Sequence, residues 1–447
     1  MFFTQYLKNE KVLWVLIIAT QLFFFNSSQI LQHTKTADSA EYIYLAQNIV
    51  DHGVIYCGDY TSEPKDISLY SRRTPGYPVY LLLTKIIFNS DFLPLLLQCM
   101  FSIFNIFLGY KIAIQIFSDS SKAYLYLFFF LFFPSQFIYA TLFMTEILFQ
   151  TSVLLCIYFL LIFEKNGRFK FFYIYHLFLA IAYLIKPIAL FLWLVYILYG
   201  IIFHNNRGIA ARQITIALFH LLIIGGFFIK NYHQTGIAEY SGIGRKLLIN
   251  YNMPALLSSY ENEEYAKNRI DSLQFSIINH TYASQCASID LFIRKEVTSH
   301  PLHFIALQVY GAIKFLLETG RWDLELWRKG YQHLDNSKSL KQQFTTNGLT
   351  GLQQELKSWN PFFLIYYFLV MIVTFTLFIL FIKSLFNTSL LFRHKLLLVS
   401  TIIYFALLTG PSASARFRIP IFPILVILAI TGIPKRNSQS NFFLSAK

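Results

Sequence analysis

Thr36-Ala37-Asp38-Ser39-Ala40-Glu41-Tyr42 follows closely on the apolar run Val12–Ile30, VLWVLIIATQLFFFNSSQI. That run is near the roughly 20 residues a bilayer crossing needs. A carboxylate so close to the end of a span is costly unless it faces water, a partner or a substrate. The residues alone allow two readings of Asp38: an acid that caps a helix starting at Ser39, or a functional acid at a membrane exit. Some thirty residues later stands Ser71-Arg72-Arg73-Thr74-Pro75-Gly76-Tyr77-Pro78, a basic pair before a turn. An acid and a basic pair near one membrane exit point to a site for an anionic, lipid-linked substrate.

The rest of the chain agrees with a first span that leads into a membrane protein. Hydrophobic residues make up 55% of the 447 positions and charged residues 13%, with mean hydropathy +0.50. A soluble domain carries about 25% charged residues. The formal charge of +14 does not indicate nucleic acid, because the basic residues are spread over short loops instead of one patch. The first run is too long for a signal peptide and lacks a clean small-x-small cleavage site, so it reads as a retained span.

Further apolar runs follow at Phe92–Phe117, Ala123–Tyr139, Leu142–Phe163, Phe171–Ile185, Pro187–Phe203, Ile214–Ile229, Pro361–Ile382, Leu396–Gly410 and Ile419–Ile433. The expected architecture is an all-α polytopic membrane protein with about ten crossings. With the N-terminus inside, the short basic loops fall on one side. They hold Lys122; Lys165, Arg168 and Lys170; Arg207 and Arg212; Lys383, Arg393 and Lys395; and Lys435 and Arg436. The opposite side receives Gln32–Asp91, Lys230–Asn360 and Pro411–Arg418. That divides the chain into an N-terminal core 1–230 with the first outer loop 32–91, an extracytoplasmic segment 231–360, and C-terminal spans with a cytoplasmic tail, 361–447. The site side is then periplasmic or extracellular in a bacterial inner membrane, or lumenal in a eukaryote.

Two apolar stretches read as helices on the membrane surface. Gly76–Phe88 is too short to cross and contains Lys85. Counting Leu302–Leu317 as a span would invert every later loop. Ahead of it, Ala287–Ser299 places Ile289, Phe292, Ile293 and Val297 at helical spacing, so an amphipathic helix is expected up to the break at His300-Pro301. Cys57, Cys99, Cys156 and Cys286 have no metal-ligand spacing. Cys57 and Cys286 fall on the same side, which leaves a disulfide between them open. Walker, G-x-G-x-x-G, G-x-S-x-G and H-E-x-x-H motifs are absent.

Polar residues at span ends carry the remaining candidates. Glu146 opens the fourth span, where either the helix dipole or a function accounts for it. Lys186-Pro187 sits at a turn, where a lysine snorkels to water or serves a site. Arg416 and Arg418 stand at the mouth of the last span, against the charge bias. Arginine there suits phosphate, of a specific substrate or of bulk-lipid headgroups, because its planar fork binds phosphate oxygens in pairs.

An ordered set of segments resembles one family. These are Asp38–Asn48, Arg73-Thr74-Pro75-Gly76-Tyr77-Pro78, Thr145–Phe149, Leu184-Ile185-Lys186-Pro187, Lys230-Asn231-Tyr232-His233-Gln234-Thr235-Gly236 and Arg416-Phe417-Arg418-Ile419-Pro420. Together they resemble the GT-C membrane glycosyltransferases of the protein O-mannosyltransferase and aminoarabinose transferase type. Lys186 and Lys230 stand where the family usually has arginine. The resemblance implies an inverting enzyme that moves a sugar from a polyprenyl-phosphate donor to a hydroxyl on a protein, lipid or polysaccharide acceptor. It implies Asp38 as general base, with Glu41 the nearest second acid. Arg72, Arg73, Lys186, Arg416 and Arg418 would hold the donor phosphate, and Tyr42, Tyr77 and Glu146 would line the substrate cavity. Ser39 stands where many relatives carry glutamate, so the resemblance leaves dependence on a divalent metal open and names no certain cofactor. A competing reading is a transporter or flippase of an anionic lipid, whose site opens to both faces.

Overall fold

The structure, a computed structural model, describes residues 9–117, 122–203, 207–333, 348–350, 359–388 and 390–433. No strand occurs among them. The first half contains α1 (Glu10–Leu31), α2 (Ala37–His52), α3 (Gly76–Leu81), α4 (Phe92–Ile116), α5 (Ala123–Phe130) and α6 (Pro134–Tyr139). It continues with α7 (Glu146–Asn166), α8 (Phe169–Ile185), α9 (Leu192–Phe203) and α10 (Arg207–Thr235). Five shorter or amphipathic helices follow, α11 (Ile243–Leu247), α12 (Met253–Tyr260), α13 (Glu263–Ile277), α14 (Tyr282–Ser299) and α15 (Pro301–Leu317). The last are α16 (Arg321–Lys329), α17 (Pro361–Phe386), α18 (Phe392–Thr409), α19 (Ala415–Arg418) and α20 (Phe422–Thr431).

Six segments are long and apolar enough to cross a membrane: α1, α4, α7, Ala211–Thr235 of α10, α17 and Phe392–Ser412. α8, the stretch Pro187–Phe203 and α15 are apolar but shorter. Helices satisfy every internal backbone polar group within one segment, which is why apolar runs adopt them in lipid. On α17, Phe362, Ile365, Phe368, Ile372, Phe375 and Ile379 form an exposed apolar stripe of the kind lipid covers. α20 differs: all ten of its residues are buried. A helix that is apolar all round belongs at the centre of a bundle, and α17, α18 and α5 pack around it.

Two of the expected spans are not simple helices. Ala123–Tyr139 is broken between α5 and α6, where Pro134 begins a new helix. Ile419–Ile433 starts with a 3-10 turn before α20. Lys435 and Arg436 lie outside the described residues.

The amphipathic helix expected at Ala287–Ser299 is present as the later part of a longer helix, α14. α14 buries Phe292 and packs Ile289, Ile293 and Val297 on a small cluster with Ile249, Met253, Leu256 and Leu257. His300 ends α14 and Pro301 starts α15. Gly76–Phe88 is helical through Ile86 but does not simply float on a surface: Tyr77 and Leu81 are fully buried. The disulfide left open by the sequence is absent. Cys57 and Cys286 are both free, and Cys57 Sγ donates to the Leu69 carbonyl at 3.1 Å.

Candidate active site

The first turn of α2 excludes Asp38 as the helix cap. Thr36, not Asp38, is the N-cap, and Ser39 Oγ accepts the Thr36 N–H at 2.8 Å. This is capping-box geometry with serine at the third position. The Asp38 side chain is left free for other partners, and the i,i+3 spacing of the helix sets Glu41 on the same face.

The Arg72–Arg73 turn is docked against the end of α8. Thr74 Oγ1 donates to the Ile185 carbonyl at 3.3 Å. At Gly76 an added Cβ would meet the Leu184 carbonyl oxygen at 2.6 Å, so only glycine permits this approach. Arg73 then reaches back to α2. Its Nη2 donates to Asp38 Oδ1 at 2.7 Å and its Nε to Glu41 Oε2 at 2.5 Å. Arg72 Nη1 donates to Glu41 Oε1 at 3.1 Å and Nη2 to Ser68 Oγ at 2.5 Å, with Asp66 at the exposed rim.

From the other end of the chain, Arg416 enters the same cluster. Its Nη2 donates to Asp38 Oδ2 at 2.8 Å and its Nε to Glu146 Oε1 at 2.5 Å. Lys186 Nζ donates to that same Glu146 oxygen at 2.9 Å. The turn that carries Arg416 is pinned by a buried amide network. Gln150 of α7 donates to the Ile419 carbonyl at 2.7 Å and accepts from Asn105 of α4 and Gln136 of α6, each at 2.8 Å.

The cluster thus joins three carboxylates (Asp38, Glu41, Glu146) to four cations (Arg72, Arg73, Lys186, Arg416) at one end of the bundle. Glu146 is fully buried, whereas Asp38 is the most open of these seven, with 31% of its side chain exposed. Burial alone would raise the Asp38 pKa, but the two guanidiniums outweigh it and hold the carboxyl well below its ordinary range. Arg416 stays firmly charged for the reciprocal reason, its burial offset by Glu146 and Asp38.

Lys186 does not snorkel to water: it is largely buried and paired with Glu146, which corrects that reading of the span end. Arg418 does not face the cluster at all. It is buried, and its guanidinium donates to the carbonyls of Leu316 at 2.5 Å and Glu318 at 2.7 Å. It therefore closes the C-terminal end of α15 and is removed from the set of phosphate candidates. Tyr42 lies under the Arg73 guanidinium, 4.8 Å from ring centre, and its hydroxyl accepts from Arg73 Nη1 at 3.1 Å. Burial pushes the Tyr42 phenol up to about 12, so it stays protonated. Tyr77 stands behind Tyr42, edge to face at 5.1 Å, with its hydroxyl donating to Gln98 at 2.7 Å. It supports Tyr42 from within the core and is fully buried.

Tyr139 and Asp323 adjoin the site and had no signal in the sequence. Arg416 lies 5.9 Å from the Tyr139 ring centre, and buried Asp323 accepts from Ser135 at 2.6 Å and Tyr139 at 3.2 Å. Tyr139 ends an apolar run and Asp323 sits in an ordinary amphipathic pattern, so nothing marked either. A divalent metal fits poorly here. Among the described residues no group of three His, Cys, Asp or Glu side chains is placed to hold a metal ion, and the three carboxylates of the cluster are already engaged by cations.

The fold is that of an all-helical polytopic membrane protein, an architecture consistent with the GT-C membrane glycosyltransferases. Residues 75–228, about a third of the chain, match the family model of dolichyl-phosphate-mannose-protein mannosyltransferases. The chain is therefore similar to membrane glycosyltransferases that draw sugar from a polyprenyl phosphate, and the resemblance read from its motifs is supported. The matched part includes Tyr77, Glu146 and Lys186; Asp38, Arg73 and Arg416 lie outside it. No curated protein matches the chain significantly.

Proposed function

We propose that the protein is an inverting glycosyltransferase, using a polyprenyl-phosphate sugar (mannose by the family's description) at an extracytoplasmic membrane face. The observation that carries this reading is the position of Asp38. Each of its oxygens is held by a guanidinium, one from residue 73 and one from residue 416. A donor phosphate competes for both arginines, whose forks suit phosphate as well as carboxylate. As they turn to it, Asp38 loses the charges that depress its pKa and becomes a better base. The acceptor hydroxyl oxygen then bonds to the anomeric carbon while the bond from that carbon to the phosphate oxygen breaks. The electron pair leaves with the phosphate, and the hydroxyl proton passes to Asp38. Arg73, Arg416 and Lys186 stabilise the charge gathering on the leaving phosphate.

A bacterial inner membrane with the site on the periplasmic or extracellular side is the proposed setting. A cysteine placed at exposed Asn279 in a Cys-free background should then react with an impermeant thiol reagent in whole cells. One at exposed Asn166, at the opposite end of α7 from Glu146, should not. The reverse pattern turns the site to the cytoplasm. The transporter reading has less support, because α20 fills the bundle centre immediately beyond Arg418.

The deciding experiment is Asp38→Asn, which keeps size and removes basicity. Transfer should fall by about 10²–10⁴-fold, the usual worth of a general base, in a protein that still inserts and purifies. Near-normal transfer removes Asp38 from the mechanism. Mass spectrometry of envelope glycans, lipids and proteins from a deletion strain identifies which of the three acceptor classes is lost.

A further inference from the structure

Behind the Arg72–Arg73 turn, a second chain of polar contacts runs away from Asp38 to the helices that follow α10. Ser71 Oγ donates to Glu239 Oε1 at 2.7 Å. The Gly242 N–H donates to the Ser71 carbonyl at 3.0 Å, and Ser241 Oγ to the Arg72 carbonyl at 2.8 Å. An added Cβ at Gly242 would stand 3.0 Å from Glu239 Oε1 and 3.2 Å from Ser71 Oγ, so the two segments are in close contact. The end of α10 holds both sides. Lys230 Nζ donates to the Tyr70 carbonyl at 2.6 Å, and Asn231 Nδ2 to the Glu239 carbonyl at 2.7 Å.

The other oxygen of Glu239 is taken by Arg245 Nη1 at 2.6 Å. Arg245 also donates to both carboxylate oxygens of Asp290 of α14, from Nε at 2.8 Å and Nη2 at 3.1 Å. Glu239 and Arg245 are largely buried, at 11% and 15% side-chain exposure, whereas Asp290 is exposed at 56%. The buried pair is therefore the part that matters. An exposed pair contributes little, whereas breaking a buried one leaves an uncompensated charge. Here that charge is a carboxylate directly behind two adjacent arginines, which it would draw away from Glu41 and Asp38.

We propose that Glu239 and Arg245 form a positioning clasp that fixes the Arg72–Arg73 turn for the donor phosphate and ties it to α14. The inference rests on the phosphate-binding role given above to Arg73. Neither clasp residue touches the reacting atoms; both act through Ser71, Arg72 and Arg73. Arg245 satisfies Glu239 so that the glutamate holds Ser71 and does not recruit Arg72.

The test uses the purified full-length protein and a ³²P-labelled C20 polyprenyl monophosphate, whose binding needs no knowledge of sugar or acceptor. Arg73→Ala is the control and should weaken binding. Arg245→Met and Glu239→Gln should each raise Kd about tenfold, as expected when binding groups are misplaced by a fraction of an ångström. Asp290→Asn should stay within about twofold, because that contact is exposed. The double variant Arg245→Met with Arg73→Ala should bind no worse than Arg73→Ala alone, since the clasp works through that arginine. A merely structural role would instead add its loss to that of Arg73→Ala. Wild-type Kd in Arg245→Met and Glu239→Gln, with Arg73→Ala impaired, overturns the clasp and leaves the phosphate site standing, as do fully additive losses. Unchanged Kd in Arg73→Ala overturns both. If Arg245→Met does not purify as a monodisperse protein, Arg245→Lys decides on the same readout. An intermediate Kd supports the clasp and a wild-type Kd rejects it.

Discussion

Arg416 donates to Asp38 at 2.8 Å across 378 positions of sequence. The first loop and the mouth of the last span are thus parts of one cluster. Arg416 also bonds Glu146, so it bridges the open acid and the buried one. Its replacement should be felt at both.

Arg416→Lys keeps the charge but loses the fork, so it cannot reach both carboxylates at once. Losing a charge-assisted bond costs roughly 1.5–3 kcal/mol. The Kd for a polyprenyl phosphate should therefore rise about ten- to a hundredfold, with a larger loss in Arg416→Ala. Arg73→Lys should behave alike. Equal affinity in wild type and both Ala variants, measured on monodisperse protein, would reject the two-arginine phosphate site.

Glu146 is buried with Arg416 and Lys186 on one oxygen. Glu146→Gln leaves a buried ammonium and guanidinium facing each other, and breaking a buried pair costs about 3–5 kcal/mol. Lys186→Met in the same chain removes the repulsion. The double variant should melt higher than Glu146→Gln alone, a coupling visible in a double-mutant cycle. Strict additivity of the melting shifts would show that the two side chains do not interact.

Arg418 should behave as a structural residue. It closes the end of α15 through the carbonyls of Leu316 and Glu318. Arg418→Met should lower the unfolding temperature, since the lost bonds to a charged donor are worth roughly 1.5–3 kcal/mol each. The folded fraction should retain its Kd for polyprenyl phosphate. Intact stability with lost phosphate binding would return Arg418 to the site.

Asp323 gives a pH signature. Burial, assisted by Glu318, pushes its carboxyl up to about 7, with Ser135, Tyr139 and Arg416 pulling the other way. Its folded pKa lies above the unfolded value of about 3.9. Between those values the folded state holds a proton the unfolded state has released, so stability falls as pH rises from about 4 to 7 and levels off above. Asp323→Asn should lack that decline, the amide nitrogen donating to one of the Ser135 and Tyr139 hydroxyls and the amide oxygen accepting from the other. Thermal unfolding from pH 5 to 8 reads the difference. Parallel curves for wild type and variant would show that Asp323 is ionised throughout.

Some of this was legible in the residues. Val12–Ile30 and its successors had to be helices, because lipid offers no partner for backbone polar groups. Asp38, Arg73, Glu146, Lys186 and Arg416 drew notice singly, because a charge at a span end needs a reason. The amphipathic spacing of Ile289, Phe292, Ile293 and Val297 was equally local, and it located α14.

What the sequence determined by itself was the all-helical membrane class and the short inventory of costly charges, since both follow from the price of polar groups in an apolar solvent and depend on neighbours in the chain. Only the tertiary structure decided the partners. It turned Arg418 to the end of α15, buried Lys186 against Glu146, kept Cys57 and Cys286 apart as free thiols, and set Glu239 behind Ser71. Those outcomes turn on how helices hundreds of residues apart pack at one end of a bundle. An arginine two positions from another looks the same in sequence whether it faces a carboxylate or the last carbonyls of a helix.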